Sequence, residues 1–242
     1  MSKHLVLMDI DGTLLRAGGI GRASVRLALE EVYGSSAGID DYRFGGRTDR
    51  ATVHRLLGVQ GWASEAIEER FEDFHAALAH HLTQLIASGA FEIIACPGTL
   101  PLIDALHGVE GVVLGLVTGN TAGSAPLKLA AAGFDPLHFP IGAFGDESQE
   151  RNDLPPLAVA RAEQLSGARF HGSQVVVIGD TPDDIRCGRH IGARTISVLT
   201  GWYSAEQLNP HQPDLVLDDL QDTNAVLQAI FATDNAQEKR PS

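Results

Sequence analysis

The chain has 242 residues, enough for one sizeable domain or a domain carrying an insertion. Its 44% hydrophobic and 20% charged residues are those of a globular protein, and no apolar run approaches the roughly 20 residues of a membrane span. The net charge of −13, from 18 basic and 31 acidic residues, argues against a nucleic-acid partner and requires that any phosphate ligand be met by local positive charge.

In chain order, Leu5–Met8 reads as a buried strand that runs directly into Asp9-Ile-Asp-Gly-Thr. The opening segment is too short and too acidic at its end for a secretory signal. Residues two apart on a strand point the same way, so alternation turns Asp9 and Asp11 toward one point, and Gly12 allows the backbone to turn sharply. Two carboxylates at ~4 Å repel by ~4 kcal/mol at an effective dielectric of ~20, so a proton or a cation has to intervene. An ordinary turn that happens to hold two acids is the alternative.

From about Gly18 to Ala90 the strands stop and helical periodicity takes over. Ser64–Ser88 reads as one long helix whose Ile67, Phe71, Phe74, Leu78, Leu82 and Leu85 form an apolar stripe, with Glu65, Glu68, Glu69, Glu72 and Asp73 on the solvated side. Gly18-Gly-Ile-Gly-Arg lacks the spacing and the preceding strand of a nucleotide loop, and reads as a hinge. The histidines offer no convincing ligand pair, since His80 and His81 fall on different helix faces.

Beyond this insert, helices at Leu100–Leu106, Ala122–Ala132 and Leu157–Leu165 alternate with strands at Val112–Val117, Pro140–Phe144, Val175–Ile178, Thr195–Leu199 and Leu215–Leu217. That alternation predicts an α/β fold with a parallel sheet. Asp9, Thr118 and Asp180 each follow a strand, which places them on the carboxyl rim where open α/β sheets bind ligands. Thr118-Gly119-Asn120, read as opening a helix, is an anion site or a simple N-cap. In Gly179-Asp180-Thr181-Pro182-Asp183-Asp184, Thr181 reads as an N-cap with Pro182 at the first helical position. The three acids exceed what capping needs, and with Asp9 and Asp11 they would complete a hard-oxygen site of Mg²⁺ type. Cys96 and Cys187 are the only cysteines and lie far apart, suggesting neither a disulfide framework nor a zinc site. A cytoplasmic protein is expected. Residues 233–242 are polar and read as a disordered tail.

Taken together, Asp9-x-Asp11-Gly12-Thr13, Thr118-Gly119-Asn120 and Gly179-Asp180-x-x-x-Asp184 resemble, in order and spacing, the haloacid dehalogenase superfamily of Mg²⁺-dependent phosphohydrolases. The resemblance covers nearly the whole chain. It implies a Rossmann-like core at 1–17 and 91–232, with a helical cap at 18–90 inserted after the first strand, as in the phosphoglycolate phosphatase-like branch. By that resemblance Asp9 is the nucleophile that forms an aspartyl-phosphate and Asp11 the acid/base. Asp9, the backbone carbonyl of Asp11 and Asp180 hold Mg²⁺, with Asp184 nearby. Thr118, Gly119 and Asn120 bind the phosphoryl group.

The family usually supplies a lysine between the second and third of these motifs. Here Phe144–Pro156 contains none, and lysine occurs only at positions 3, 128 and 239. Arg151 is favoured as its replacement because a guanidinium stays charged and grips phosphate in bidentate fashion. Lys128, read as mid-helix and solvated, is the other candidate. Phe44-Gly-Gly-Arg47-Thr48-Asp49 resembles a substrate-facing cap loop, with Arg47 as an anion contact. A small phosphomonoester is the implied partner and substrate (phosphoglycolate-like or a sugar phosphate). A sugar-phosphate mutase and a silent phosphate-binding protein are the alternatives.

Overall fold

The structure, a computed structural model, describes residues 3–232, so the tail expected at 233–242 lies outside the described residues. β1 (His4–Met8) is central in a six-stranded sheet. A two-residue strand, β2 (Leu15–Arg16), leads into the helices α1 (Ile20–Tyr33), α2 (Asp49–Val59), α3 (Ser64–Glu68) and α4 (Phe71–Ser88). β3 (Ile94–Ala95) returns antiparallel to β2, pairing Leu15 with Ala95 and Arg16 with Ile94, so entry to and exit from the helical segment are tied together.

The remainder alternates: α5 (Thr99–His107), β4 (Val112–Val117), α6 (Ala125–Ala131), β5 (Ile141–Ala143), α7 (Leu154–Ser166), β6 (Val175–Gly179), α8 (Pro182–His190), β7 (Arg194–Val198), α9 (Ala205–Leu208), β8 (Leu215–Leu217) and α10 (Thr223–Phe231). All pairings in the large sheet are parallel, in the order β5-β4-β1-β6-β7-β8. This is the α/β architecture that the strand-helix alternation implied.

Strand alternation builds the core on both faces of the sheet. Val6 and Met8 join Leu114, Leu116, Val176, Ile178, Ile196 and Val198 under α5 and α10. Leu5 and Leu7 point the other way, to Val117, Val175 and Val177 under α7 and α8. The helical segment has its own apolar cluster, in which Val25, Leu29, Val53, Leu57, Phe71, Phe74 and Leu78 meet without a member from the sheet.

Three element boundaries differ from expectation. The Ser64–Ser88 stretch breaks in two at Arg70, whose φ of −112° and ψ of 6° leave the helical region. Arg70 lies over the Trp62 ring and donates to the Val32 carbonyl, which fixes the break while Ile67 and Phe71 both stay buried. α7 begins at Leu154 rather than Leu157, because Pro155 and Pro156 occupy its first turn, where a missing N–H goes unnoticed. α6 begins at Ala125, several residues later than the Thr118-Gly-Asn segment suggested. No helix among the described residues is long and apolar enough to cross a membrane.

Because the helical cluster is separate from the sheet's, Phe74→Ala is expected to cost it about 3–5 kcal/mol. Amide hydrogen exchange should quicken in α1 and α4, while β1 and β6 keep their protection; equal acceleration in all four elements would contradict separate packing.

Candidate active site

β1, β4 and β6 are neighbours, and Asp9, Thr118 and Asp180 are the first residues beyond their carboxyl ends. Parallel strands in register therefore bring groups 62 to 171 positions apart in sequence to one rim. Asp9 stays in line, its N–H donating to the Ile178 carbonyl at 3.0 Å. Carboxylate oxygens of Asp9, Asp180 and Asp184 then lie within 4.8 Å of one another, all three side chains buried.

Asp11 does not join them. β1 ends at Met8 and the chain turns, so strand alternation does not carry through residue 11, although Asp11 stays near enough to Asp9 to raise its pKa. The Asp11 carboxylate is partly exposed, and its Oδ2 accepts from Asn120 Nδ2 and from Lys128 Nζ, each at 2.8 Å. Its side chain is thus not a member of the metal-competent group. Gly12, at φ 91°, makes the turn, and a Cβ there would strike the Asp180 carboxylate.

Each acid of the trio has a defined setting. Asp180 Oδ1 accepts from the Thr13 hydroxyl at 3.2 Å. Asp184 closes the capping box of α8, its Oδ2 accepting from the Thr181 N–H at 3.0 Å and the Thr181 hydroxyl at 2.7 Å. Thr181 and Pro182 are the N-cap and first helical residue, as their order in the sequence suggested. Asp183 instead pairs with Arg186 on the helix surface.

Arg151, carried by a single 3-10 turn ahead of α7, enters this pocket and is itself buried. Its Nη2 donates to Asp9 Oδ1 at 2.9 Å, to Asp184 Oδ1 at 2.5 Å and to the Val117 carbonyl at 3.2 Å. Its Nη1 donates to the Gly46 carbonyl at 2.7 Å. Lys128 is buried, not solvated. Its ammonium serves Asp11 and Asn120 Oδ1, the latter at 2.6 Å. The two candidates for the missing lysine therefore both reach the site, on different carboxylates.

Thr118, Gly119 and Asn120 form a loop rather than a helix terminus, since Ser124 precedes α6. The Thr118 hydroxyl accepts from Asn120 Nδ2 at 2.9 Å. The segment before α2 lies across this loop. Asp49 N–H donates to the Gly119 carbonyl at 2.8 Å, Arg50 N–H to the Gly145 carbonyl at 3.0 Å and Arg50 Nε to the Asp146 carbonyl at 2.9 Å. Thr48 caps α2. Gly46, at φ 79°, comes so close to Thr181 that no side chain would fit. Arg47 is exposed and has no hydrogen-bond or ion-pair partner among the described residues; only its backbone abuts Gly119. Asp49, named from the sequence only as the end of the cap loop, also reaches this site. Its charged neighbours are Lys128, Asp11 and Asp146. No helical spacing could reveal this, because its partners lie on another part of the chain.

Burial dominates the titration. Loss of hydration pushes Asp9 up to about 7 against the opposing pull of Arg151, with Asp184 and Asp11 adding repulsion. Asp180 is raised by burial and then by Asp184 and Asp9. Asp49 is raised to about 7, again chiefly by burial. Arg151 is held charged by Asp184 and Asp9 despite its burial. Three converging carboxylates with one guanidinium form a hard-oxygen donor set short of positive charge, which fits Mg²⁺. Asp9 and Asp180 have oxygens to offer, while both Asp184 oxygens are already engaged by Thr181 and Arg151.

Comparison with known proteins agrees with this geometry. Residues 154–223 match the family model described as HAD-hydrolase-like. Pyrophosphatase PpaX of Bacillus pumilus is 23% identical over 230 residues, covering 93% of this chain and 97% of the relative. The phosphoglycolate phosphatase of Pectobacterium atrosepticum is 28% identical over 219 residues, covering 87% and 86%. A crystal structure of a hydrolase from Pseudomonas syringae superposes with a TM-score of 0.68 at 22% identity, covering 95% of this chain and all of that one. These likenesses bear out the resemblance to the haloacid dehalogenase superfamily. The basic residue beside Asp9 is an arginine.

Raised carboxyl pKa values mean that folding favours the protonated forms. The stability they confer is full below about 4 and is lost as pH rises toward 7. Metal-free protein should therefore melt several degrees lower at pH 8 than at pH 5.5, with added Mg²⁺ restoring much of the difference at pH 8. Differential scanning calorimetry with chelator and with Mg²⁺ checks this; a melting temperature indifferent to Mg²⁺ at pH 8 would remove the metal assignment.

Proposed function

We propose that this chain is a Mg²⁺-dependent phosphatase that hydrolyses a small phosphomonoester through a covalent aspartyl-phosphate on Asp9. The observation that carries the reading is the burial of Asp9 beside Asp180, Asp184 and Arg151 at the carboxyl ends of adjacent strands. Relatives named phosphoglycolate phosphatase and pyrophosphatase support phosphoryl-transfer chemistry.

Asp9 and Asp180 would hold the ion directly, with the backbone carbonyl of Asp11 a further ligand by family resemblance and Asp184 completing its surroundings. Bound there, Mg²⁺ would neutralise charge on the phosphoryl oxygens. A carboxylate oxygen of Asp9 attacks phosphorus while Asp11, as the carboxylic acid, protonates the departing ester oxygen. The alcohol leaves and the phosphoryl group remains on Asp9. Asp11, now a carboxylate, takes a proton from water as that water attacks phosphorus, and the Asp9 carboxylate is released with inorganic phosphate. Arg151 fixes the orientation of Asp9 and offsets charge on the transferring group, as the Thr118 hydroxyl and the Gly119 N–H do from the other side.

The segment at residues 45–50 closes over the phosphate loop and excludes water from the reacting atoms. Together with residues 18–90 we read it as a cap, with Arg47 free to meet an anionic part of the substrate. The closeness of that segment to Thr118–Asn120 favours a compact leaving group, a phosphoglycolate-like acid or a sugar. The same reading places the enzyme in the cytoplasm, in keeping with two buried, unpaired cysteines.

A Mg²⁺-supplemented screen of small phosphoesters, followed by phosphate release, tests the proposal. Wild type should turn over at least one ester and Asp9→Asn none. Arg151→Ala should lose about 100- to 1,000-fold in kcat, the usual range for removing one charge-stabilising donor. Arg151→Lys should recover only part, because an ammonium cannot span Asp9, Asp184 and the Gly46 carbonyl as a planar fork does. Phosphate release by Asp9→Asn at the wild-type rate would end the proposal. Conversion of a hexose 1-phosphate to its 6-phosphate without net release would replace hydrolysis by a mutase.

A further inference from the structure

Lysine is scarce in this protein, and one of its three copies is buried against the acid/base residue. A buried ammonium is costly unless its donors find acceptors, and two of those of Lys128 do: Asp11 Oδ2 at 2.8 Å and Asn120 Oδ1 at 2.6 Å. Asn120 completes a ring by donating from Nδ2 to the same Asp11 Oδ2 at 2.8 Å. α1 of the helical segment covers this group, and Gly21 there leaves the ammonium room, since a Cβ would sit 3.2 Å from Nζ. None of these bonds involves Asp9, Asp180 or Asp184, whose protein cation is Arg151.

The bonds fall on one oxygen. Oδ2 of Asp11 accepts from both Lys128 and Asn120, which uses its lone pairs and bars it from carrying a proton. We infer that Lys128 is a positioning residue for Asp11: with Asn120 it pins Oδ2, so that the proton delivered to the leaving group is carried on Oδ1 alone. The inference rests on the phosphatase reading and extends it. Two basic residues then serve the two aspartates, Arg151 steadying the nucleophile and Lys128 aiming the acid.

Leaving-group dependence tests this. An alkoxide must be protonated as its bond to phosphorus breaks, whereas a nitrophenolate leaves unaided. The kcat/KM ratio reports the steps up to leaving-group departure. With Mg²⁺ present, Lys128→Met should lower kcat/KM for glycerol 2-phosphate about 100-fold and that for p-nitrophenyl phosphate by no more than about threefold. Lys128→Arg should regain at least about tenfold on the alkyl ester. The kcat for the aryl ester should still fall, because water activation in the second half-reaction uses the same Asp11. Equal losses of kcat/KM on the two esters, or no loss on the alkyl ester, would overturn the inference. If Lys128→Met gives no cooperative melt, Lys128→Gln serves for the same comparison. Asp9→Asn, measured alongside, separates the readings. Activity in that variant would remove the phosphatase proposal, whereas an inert Asp9→Asn with equal losses at Lys128 removes only the role given to the lysine.

Discussion

Three buried carboxylates arranged around one guanidinium set the terms for the rest of this molecule. At separations near 4 Å each pair of like charges repels by ~4 kcal/mol at an effective dielectric of ~20, and Arg151 can offset only part of that. Hydrogen bonds from Thr13 and Thr181 take up some of the remainder. A divalent cation would bring the group to neutrality. So expensive an arrangement survives because a rigid parallel sheet with apolar layers on both faces forces the chain ends of β1 and β6 together. Stability of the sheet is thus spent on holding charges where water would not gather them.

The helical segment meets the sheet across a polar seam. Its apolar side chains satisfy one another in their own cluster, and the contacts over the carboxyl rim of the sheet include hydrogen bonds from Thr48, Asp49 and Arg50 to loop carbonyls. Bonds of that kind exchange readily with water, so the seam can part at far smaller cost than either interior. The β2–β3 ribbon ties the two crossings together. Arg151 spans the seam, since one guanidinium touches both Asp9 and the Gly46 carbonyl. The position of the helical segment and the setting of Asp9 are therefore mechanically linked.

Arginine and lysine divide this site according to their shapes. The planar fork of Arg151 distributes donors among Asp9, Asp184, Val117 and Gly46, a pattern that a single ammonium cannot match. Lys128, compact and on a flexible stem, fits between Asp11 and Asn120, where α1 leaves room for a point charge.

Much was written locally in the sequence. Apolar runs of strand length, the Gly12 turn, the Thr181–Pro182 helix start and the acids beyond the first and sixth strands follow from hydrophobic period, backbone freedom and capping, which depend on neighbours along the chain. The sequence alone therefore determined the α/β fold and the presence of acidic and hydroxyl groups on one sheet edge. It did not determine which carboxylates meet. Alternation suggested Asp9 with Asp11, whereas the turn after Met8 sends Asp11 to Lys128 and leaves Asp9 with Asp180 and Asp184. Helical position suggested a solvated Lys128 and gave no hint that Asp49 would reach the phosphate loop. Those outcomes were decided only by tertiary structure, because burial and pairing of charge depend on what arrives from distant segments, and a single sequence carries no local trace of that encounter.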